Sequence, residues 1–201
     1  KYIPDYPNGK SITIHQLLTH TSGIPDYIND DASFSEICRF YHTVDQVIDR
    51  FKDKPLEFKP GTRYDYSNSG YVLLSYIIEK LSGMSYEDYL DSNIFRPLGM
   101  LDTGYDNLKP LIKNRACGYS ISNGKLTNAE FFDRSNLQGA DGLYSTVEDL
   151  YLWDRSLYTE ALVKKQTLNK IFTAYPPAKN YGYGWTINDG EVHHFGRMDG
   201  F

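Results

Sequence analysis

Apolar residues recur at helical spacing through most of this chain, and at strand spacing only near its end. In Ile12–His20, Thr13 is placed to cap a short helix whose apolar side holds Leu17 and Leu18, and Gln16 fits a capping box. Thr21-Ser22-Gly23-Ile24-Pro25 stops it, because glycine turns left-handed and proline restricts the residue before it. Residues 26–42 read as loop with one helical turn at most. Thr43 caps a second amphipathic helix carrying Val44, Val47, Ile48 and Phe51. After the turn at Phe58-Lys59-Pro60-Gly61, the run Val72, Leu73, Leu74, Tyr76, Ile77, Ile78 and Leu81 predicts a helix buried on most sides and ended by Ser82-Gly83. Ser85, with Asp88 three positions on, opens another helix with Tyr86, Tyr89, Leu90, Ile94 and Phe95 facing inward, and Pro97-Leu98-Gly99-Met100 closes it.

From 101 to 138 helical period disappears. Short strands around Ala116–Ile121 and a turn at Asn123-Gly124 are expected there. Gly139-Ala140-Asp141-Gly142 leads to a helix capped by Thr146, with Asp149 at the capping-box position ahead of Leu150, Leu152 and Trp153. A further helix is expected from Thr159 through Leu162 and on towards Phe172. Period then changes. Tyr181–Ile187 reads as a strand, Asn188-Asp189-Gly190 as a turn, and Glu191–Phe195 as the returning strand. The fold class is therefore α+β: a mainly helical region over 10–170, and a β-hairpin within 181–201. A two-stranded hairpin is marginal alone, so it needs a larger sheet or a helix face.

The 201 residues suit one domain. Lys plus Arg is 21 against Asp plus Glu 26, a net charge of −5, and there is no basic block, which argues against a nucleic-acid partner. No apolar run approaches the length of a transmembrane span. Cys38 and Cys117 can pair or stay free and cannot form a disulfide framework. The chain opens at Lys1 with no Met or signal peptide, and the expectation is of a central piece of a longer protein. Aromatic residues reach 15%, 18 of them Tyr. Either they fill a tyrosine-rich core and surface, or they line an open groove for extended, peptide-like ligands.

Several chemistries are excluded. The five histidines, His15, His20, His42, His193 and His194, lack metal spacing. His15 and His20 read as structural, and His193 and His194, adjacent on an expected strand, face opposite ways. No phosphate loop, dinucleotide fingerprint, Gly-x-Ser-x-Gly elbow or glycosidase carboxylate pair occurs. Neither a metal nor another cofactor is called for. Tyr66-Ser67-Asn68 stands out, a triplet held between a proline-glycine turn and a buried helix. A tyrosine hydroxyl, with an ordinary pKa about 10, is a poor base unless a cation beside it favours the phenolate. Asn68 can both donate and accept. The same triplet also reads simply as a helix entry capped by Ser67 or Asn68.

Ordered stretches then give a resemblance. “ITIHQLLTHTSGIP” from Ile12, “PGTRYDYSNSGYVLLSYIIEKLSG” from Pro60, “GADGLYSTVEDLYLW” from Gly139, “YGYGWTI” from Tyr181 and “HFGRMDGF” from His194 resemble the serine β-lactamase and penicillin-binding-protein superfamily. They resemble its class C-like branch, with D-alanyl-D-alanine carboxypeptidases and related esterases. The resemblance implies that the hairpin belongs to the antiparallel sheet of a β-lactamase/transpeptidase-like fold. It assigns Tyr66 to proton movement between nucleophile and leaving group, and Asn68 to holding the substrate amide beside a catalytic lysine. His194 takes the Lys-or-His place of the third motif, where it orders the tyrosine and the substrate carboxylate end. Gly196 lets the backbone approach substrate. Ser67 is not expected to be the nucleophile. The family's Ser-x-x-Lys motif is expected to precede this segment and to be missing from residues 1–201, so the nucleophile is absent from this chain. The parent protein is then expected to hydrolyse β-lactams, D-Ala-D-Ala peptides or esters through an acyl-enzyme, with this fragment inactive alone. The alternative is a non-catalytic penicillin-binding or sensor module on the same fold. A periplasmic, extracellular or membrane-associated location and, from its exposed strand edges, a possible edge-strand dimer complete the expectations.

Overall fold

A computed structural model describes residues 2–29, 31–198 and 200–201. Lys1, Asp30 and the Asp199 of the C-terminal stretch lie outside the described residues. The order is α1 (Ile14–Leu18), a short 3-10 turn, α2 (Asp31–Ile37), α3 (Val44–Asp49), α4 (Asn68–Ser82), α5 (Tyr86–Leu90) continuing through a π-helical turn into α6 (Arg96–Leu98), β1 (Gly104–Tyr105), β2 (Tyr119–Ser122), β3 (Lys125–Asn128), β4 (Leu143–Tyr144), α7 (Val147–Ser156), α8 (Lys165–Ile171), β5 (Thr186–Asn188) and β6 (Glu191–His193). Among the described residues the strands form three separate antiparallel pairs: β1 with β4, β2 with β3, and β5 with β6. The α+β reading holds, with a mainly helical core.

The caps explain where the helices begin. Thr13 and Thr43 each accept the N–H of the residue three places on, Gln16 and Gln46, whose side chains return the bond to the threonine N–H. Ser85 and Thr146 cap α5 and α7 through the amides of Asp88 and Asp149. Helix α4 starts differently. Ser67 makes no side-chain cap, and the Asp26 carboxylate takes both the backbone and side-chain amides of Asn68. Gly83, at φ 69, ends the helix in the left-handed conformation.

The main core lies between α1, α3 and α4: Leu17, Val47, Ile48, Phe51, Val72, Leu73 and Ile77 are buried together with Tyr27 and Leu137. Each such aliphatic side chain removed from water contributes about 1.5–3 kcal/mol. A second cluster, Leu90, Phe95 and Met100 with Trp153 packed against it, joins α5 to α7.

Four expectations need correction. Residues 26–42 hold more helix than one turn, since α2 runs Asp31–Ile37. The helix expected from Thr159 begins only at Lys165, because Thr159 Oγ1 accepts the Ala161 amide and Glu160 accepts the Lys165 amide, competing with the helical pattern. Tyr181–Trp185 is not strand: the Gly182 N–H folds back onto the Trp185 carbonyl at 2.8 Å and Gly184 sits at φ 77, so β5 begins at Thr186. The fourth concerns Ser-x-x-Lys, for the spacing does occur once, as Ser122-Asn123-Gly124-Lys125. There it is the exposed β2–β3 hairpin turn, with Ser122 and Lys125 paired across the strands. Among the described residues neither bonds to Tyr66, Asn68 or His194. Cys38 and Cys117 are both free.

Candidate active site

Tyr66 owes its position to two loops laced together. The loop after α1 and the loop before α4 exchange Gly61 N–H to Thr21 O at 2.8 Å, Asp65 N–H to His20 O at 2.9 Å and Glu57 N–H to Gly23 O at 2.9 Å. Gly23, at φ 78, could carry no Cβ, which would fall 2.3 Å from the Phe58 carbonyl oxygen. His20, also left-handed at φ 53 and only 1% exposed, reaches under the second loop. Its Nδ1 accepts the Ser67 N–H at 3.1 Å.

The imidazole of His20 is sandwiched between the rings of Tyr66 and Tyr71, at centroid distances of 4.0 and 4.9 Å. Its Nε2 lies 3.2 Å from the Tyr181 hydroxyl, which lies 3.0 Å from His194 Nε2. Tyr66 and His194, far apart in sequence, thus end with ring centroids 6.2 Å apart. Burial pushes the His20 imidazole down to about 3, helped by repulsion from His194. The Tyr181 hydroxyl is pushed well up, by burial first and by neighbouring tyrosines second. His20 is therefore a neutral ring, and Tyr181 a protonated hydroxyl.

Tyr66 is 40% exposed. Burial raises its hydroxyl, and Tyr64, Asp26 and Asp141 push the same way. As it stands, Tyr66 holds its proton. Ser67 is buried, its Oγ lacking a hydrogen-bond partner among the described residues. Asn68 spends one side-chain N–H on Asp26 Oδ2 at 2.8 Å. Burial raises the Asp26 carboxyl, against the pull of the Ile28 and Asn68 donors. Beyond the short hairpin, His194 and Gly196 are exposed, and a Cβ at Gly196 would meet open space. Among the described residues no group of three or more His, Cys, Asp or Glu could hold a metal.

Tyr66, Asn68 and His194 were legible as candidates, whereas His20 and Tyr181, the residues that join them, were not singled out. The only local signal was a histidine followed by Thr-Ser-Gly-Ile-Pro, a stretch more easily read as a helix stop.

The fold, a helical body ending in a hairpin, is shared with solved penicillin-binding proteins and amidases. The solved penicillin binding protein from Bacillus halodurans superposes with a TM-score of 0.78 at 30% identity, covering 94% of this chain and 60% of that one. The D-amino acid amidase from Ochrobactrum anthropi SV3, complexed with D-phenylalanine, superposes at 0.84 with 27% identity, covering 98% and 62%. Penicillin-binding protein 4* of Bacillus subtilis (strain 168) is 32% identical over 227 residues, which take in 100% of this chain and 49% of that protein. The family model described as Beta-lactamase matches residues 1–201, and the chain belongs to that family. It spans about half the length of the curated relatives it matches. No helix among the described residues is long and apolar enough to cross a membrane.

Proposed function

We propose that residues 1–201 carry the Tyr66-x-Asn68 and His194-x-Gly196 portion of the active site of a serine acyl-transfer hydrolase of class C-like, D-alanyl-D-alanine carboxypeptidase or esterase type. The observation that supports this most is the approach of Tyr66 to His194, 6.2 Å between ring centroids, through His20 and Tyr181. In this reading a serine from outside these residues attacks a carbonyl and loses its proton to a basic partner. The tetrahedral intermediate expels its leaving group, and water then releases the acyl group. Tyr66 passes the proton to the leaving group. A raised phenol cannot start that transfer as a base, so the lysine ammonium of the Ser-x-x-Lys motif is required beside it. Asn68, anchored by Asp26, turns its remaining amide atoms to substrate. His194 meets the carboxylate end, and the open space at Gly196 admits the substrate backbone.

The substrates proposed are β-lactams, peptides ending in D-Ala-D-Ala, or simple esters. The names of the relatives, penicillin-binding proteins and a D-amino acid amidase, support that range. The 201-residue chain by itself should give no steady hydrolysis of a β-lactam or a p-nitrophenyl ester. The whole protein should turn over at least one of them, and Tyr66→Phe should lower that rate by roughly 10²–10⁴-fold. Turnover by the chain alone that Tyr66→Phe abolishes would sink the claim of inactivity. A whole protein that never gains the mass of an acyl group would leave the non-catalytic binding reading in its place. We further propose that the outer edge of β6 permits a dimer, the outer edge of β5 being taken by Asn180 and Tyr181. Sedimentation showing only monomer at high concentration would remove it.

A further inference from the structure

We infer that the backbone N–H of Ser67 determines, through His20 and Tyr181, which ring nitrogen of His194 carries its proton, and that this nitrogen is Nδ1. The inference follows from donors and acceptors taken in order. A backbone N–H can only donate, so the bond from Ser67 N to His20 Nδ1, 3.1 Å long, makes Nδ1 an acceptor. The buried, neutral ring must then hold its single proton on Nε2. That Nε2–H faces the Tyr181 hydroxyl at 3.2 Å and donates to it. Tyr181, accepting there, keeps its own proton to give, and His194 Nε2 lies 3.0 Å away. With Nε2 accepting, a neutral His194 has only Nδ1–H.

The setting suits a device that holds rather than reacts. His20 sits at a left-handed φ of 53, a conformation that costs a β-carbon-bearing residue energy. It is packed between Tyr66 and Tyr71, and Tyr71 is itself held by donating to the Leu18 carbonyl at 3.0 Å. Both His20 and Tyr181 are buried. They are positioning residues: they touch no substrate, but they leave His194 a fixed N–H donor on Nδ1. The amide that starts the chain of bonds lies between Tyr66 and Asn68, so the two halves of the proposed site are set by one wire. Its meaning for catalysis rests on the hydrolase reading above. Its existence does not.

The test is side-chain ¹⁵N spectroscopy of the histidine rings of this chain near pH 8.5, about two units above the ordinary imidazole value. His20 is expected as the Nε2–H tautomer and His194 as the Nδ1–H tautomer, the less common one. In Tyr181→Phe, which removes one oxygen, His194 should flip to mainly Nε2–H while His20 Nδ1 still accepts. Tyr71→Phe should leave His194 on Nδ1. A rival arrangement has Tyr181 give its proton to the neighbouring Tyr71 hydroxyl and accept from both histidines. His194 would then appear as Nε2–H in the unaltered chain, and that spectrum alone overturns the inference even if no variant folds. A whole protein without hydrolase activity would refute the function and leave these spectra as they are, so the two failures are told apart.

Discussion

His20 concentrates several costs in one side chain, and its protonation can be read from the outside. In the folded chain burial holds the imidazole at about 3, whereas in the unfolded chain it takes a proton near 6.5. As pH falls below about 6.5 the unfolded state binds the proton and the folded state does not, so stability is lost, by up to about 1.4 kcal/mol per pH unit. Asp26 works the other way. Its raised carboxyl keeps a proton more tightly in the folded state, adding stability as pH falls into the carboxylate range. Urea midpoints of the parent chain and of His20→Asn, compared between pH 7 and pH 5, separate the two, because both chains share Asp26. Asparagine tolerates the left-handed backbone and does not titrate. The parent should lose roughly 1–2 kcal/mol more than the variant over that interval. Parallel losses would mean that His20 is not the neutral buried ring described. Such a role was invisible in the sequence, where His20 is one more polar residue after a short helix. Its burial comes from Tyr66 and Tyr71 stacked on its ring and from Tyr181, 161 residues away.

Elements divide by how local their causes are. The threonine and serine caps of α1, α3, α5 and α7 could be read directly, since both partners of each bond lie within three residues. The start of α4 could not, because its cap is Asp26, some forty residues upstream. The same holds for Gly139, whose segment resembles a family motif but whose reason is steric. At φ 84, a Cβ there would fall 2.6 Å from both the Ser75 Cβ and the Tyr71 carbonyl oxygen. Both contacts are on α4, one of them the backbone that carries the Tyr71 ring under His20. Gly139→Ala therefore combines a left-handed strain with a backbone overlap, and should cost about 2–3 kcal/mol in thermal or urea unfolding. Its second effect should be a shifted His20 ring resonance, as Tyr71 moves. Gly124→Ala, at φ 74 with nothing within 4 Å, carries the strain alone. It should cost about 1 kcal/mol and leave His20 untouched. Equal costs and unchanged spectra in both would show that α4 does not lean on the glycine segment.

Across the molecule, two clusters of buried apolar side chains stand out among the described residues, and the larger supports the site. Leu17 and Val72 of the larger cluster lie on the helices that bracket the His20 loop and the Tyr66 triplet. Leu90, Phe95 and Met100 serve the α5–α7 corner. This division was partly legible, since the inward-facing residues of each helix could be chosen by spacing, but spacing does not say which helices share a core. Phe95→Ala should destabilise the chain by about 3–5 kcal/mol, because a large buried ring leaves a cavity. Histidine resonances of the variant, measured at a urea concentration too low to unfold it, should nevertheless match the parent. Leu17→Ala, costing about 2–5 kcal/mol, should shift the His20 and His194 signals as well, because α1 leads straight into the loop that holds His20. If the two variants perturbed those signals equally, the clusters would behave as one cooperative core, and the site would depend on the whole chain rather than on α1 and α4. The expected contrast also bears on the hairpin. Its His194 reaches the larger cluster's side of the molecule through Tyr181 alone among the hydrogen bonds of the described residues. Removing the Tyr181 hydroxyl should free His194 at about 1–3 kcal/mol, the cost of the buried His20 Nε2–H left unpaired, whereas loosening α1 should free it only by weakening the larger core.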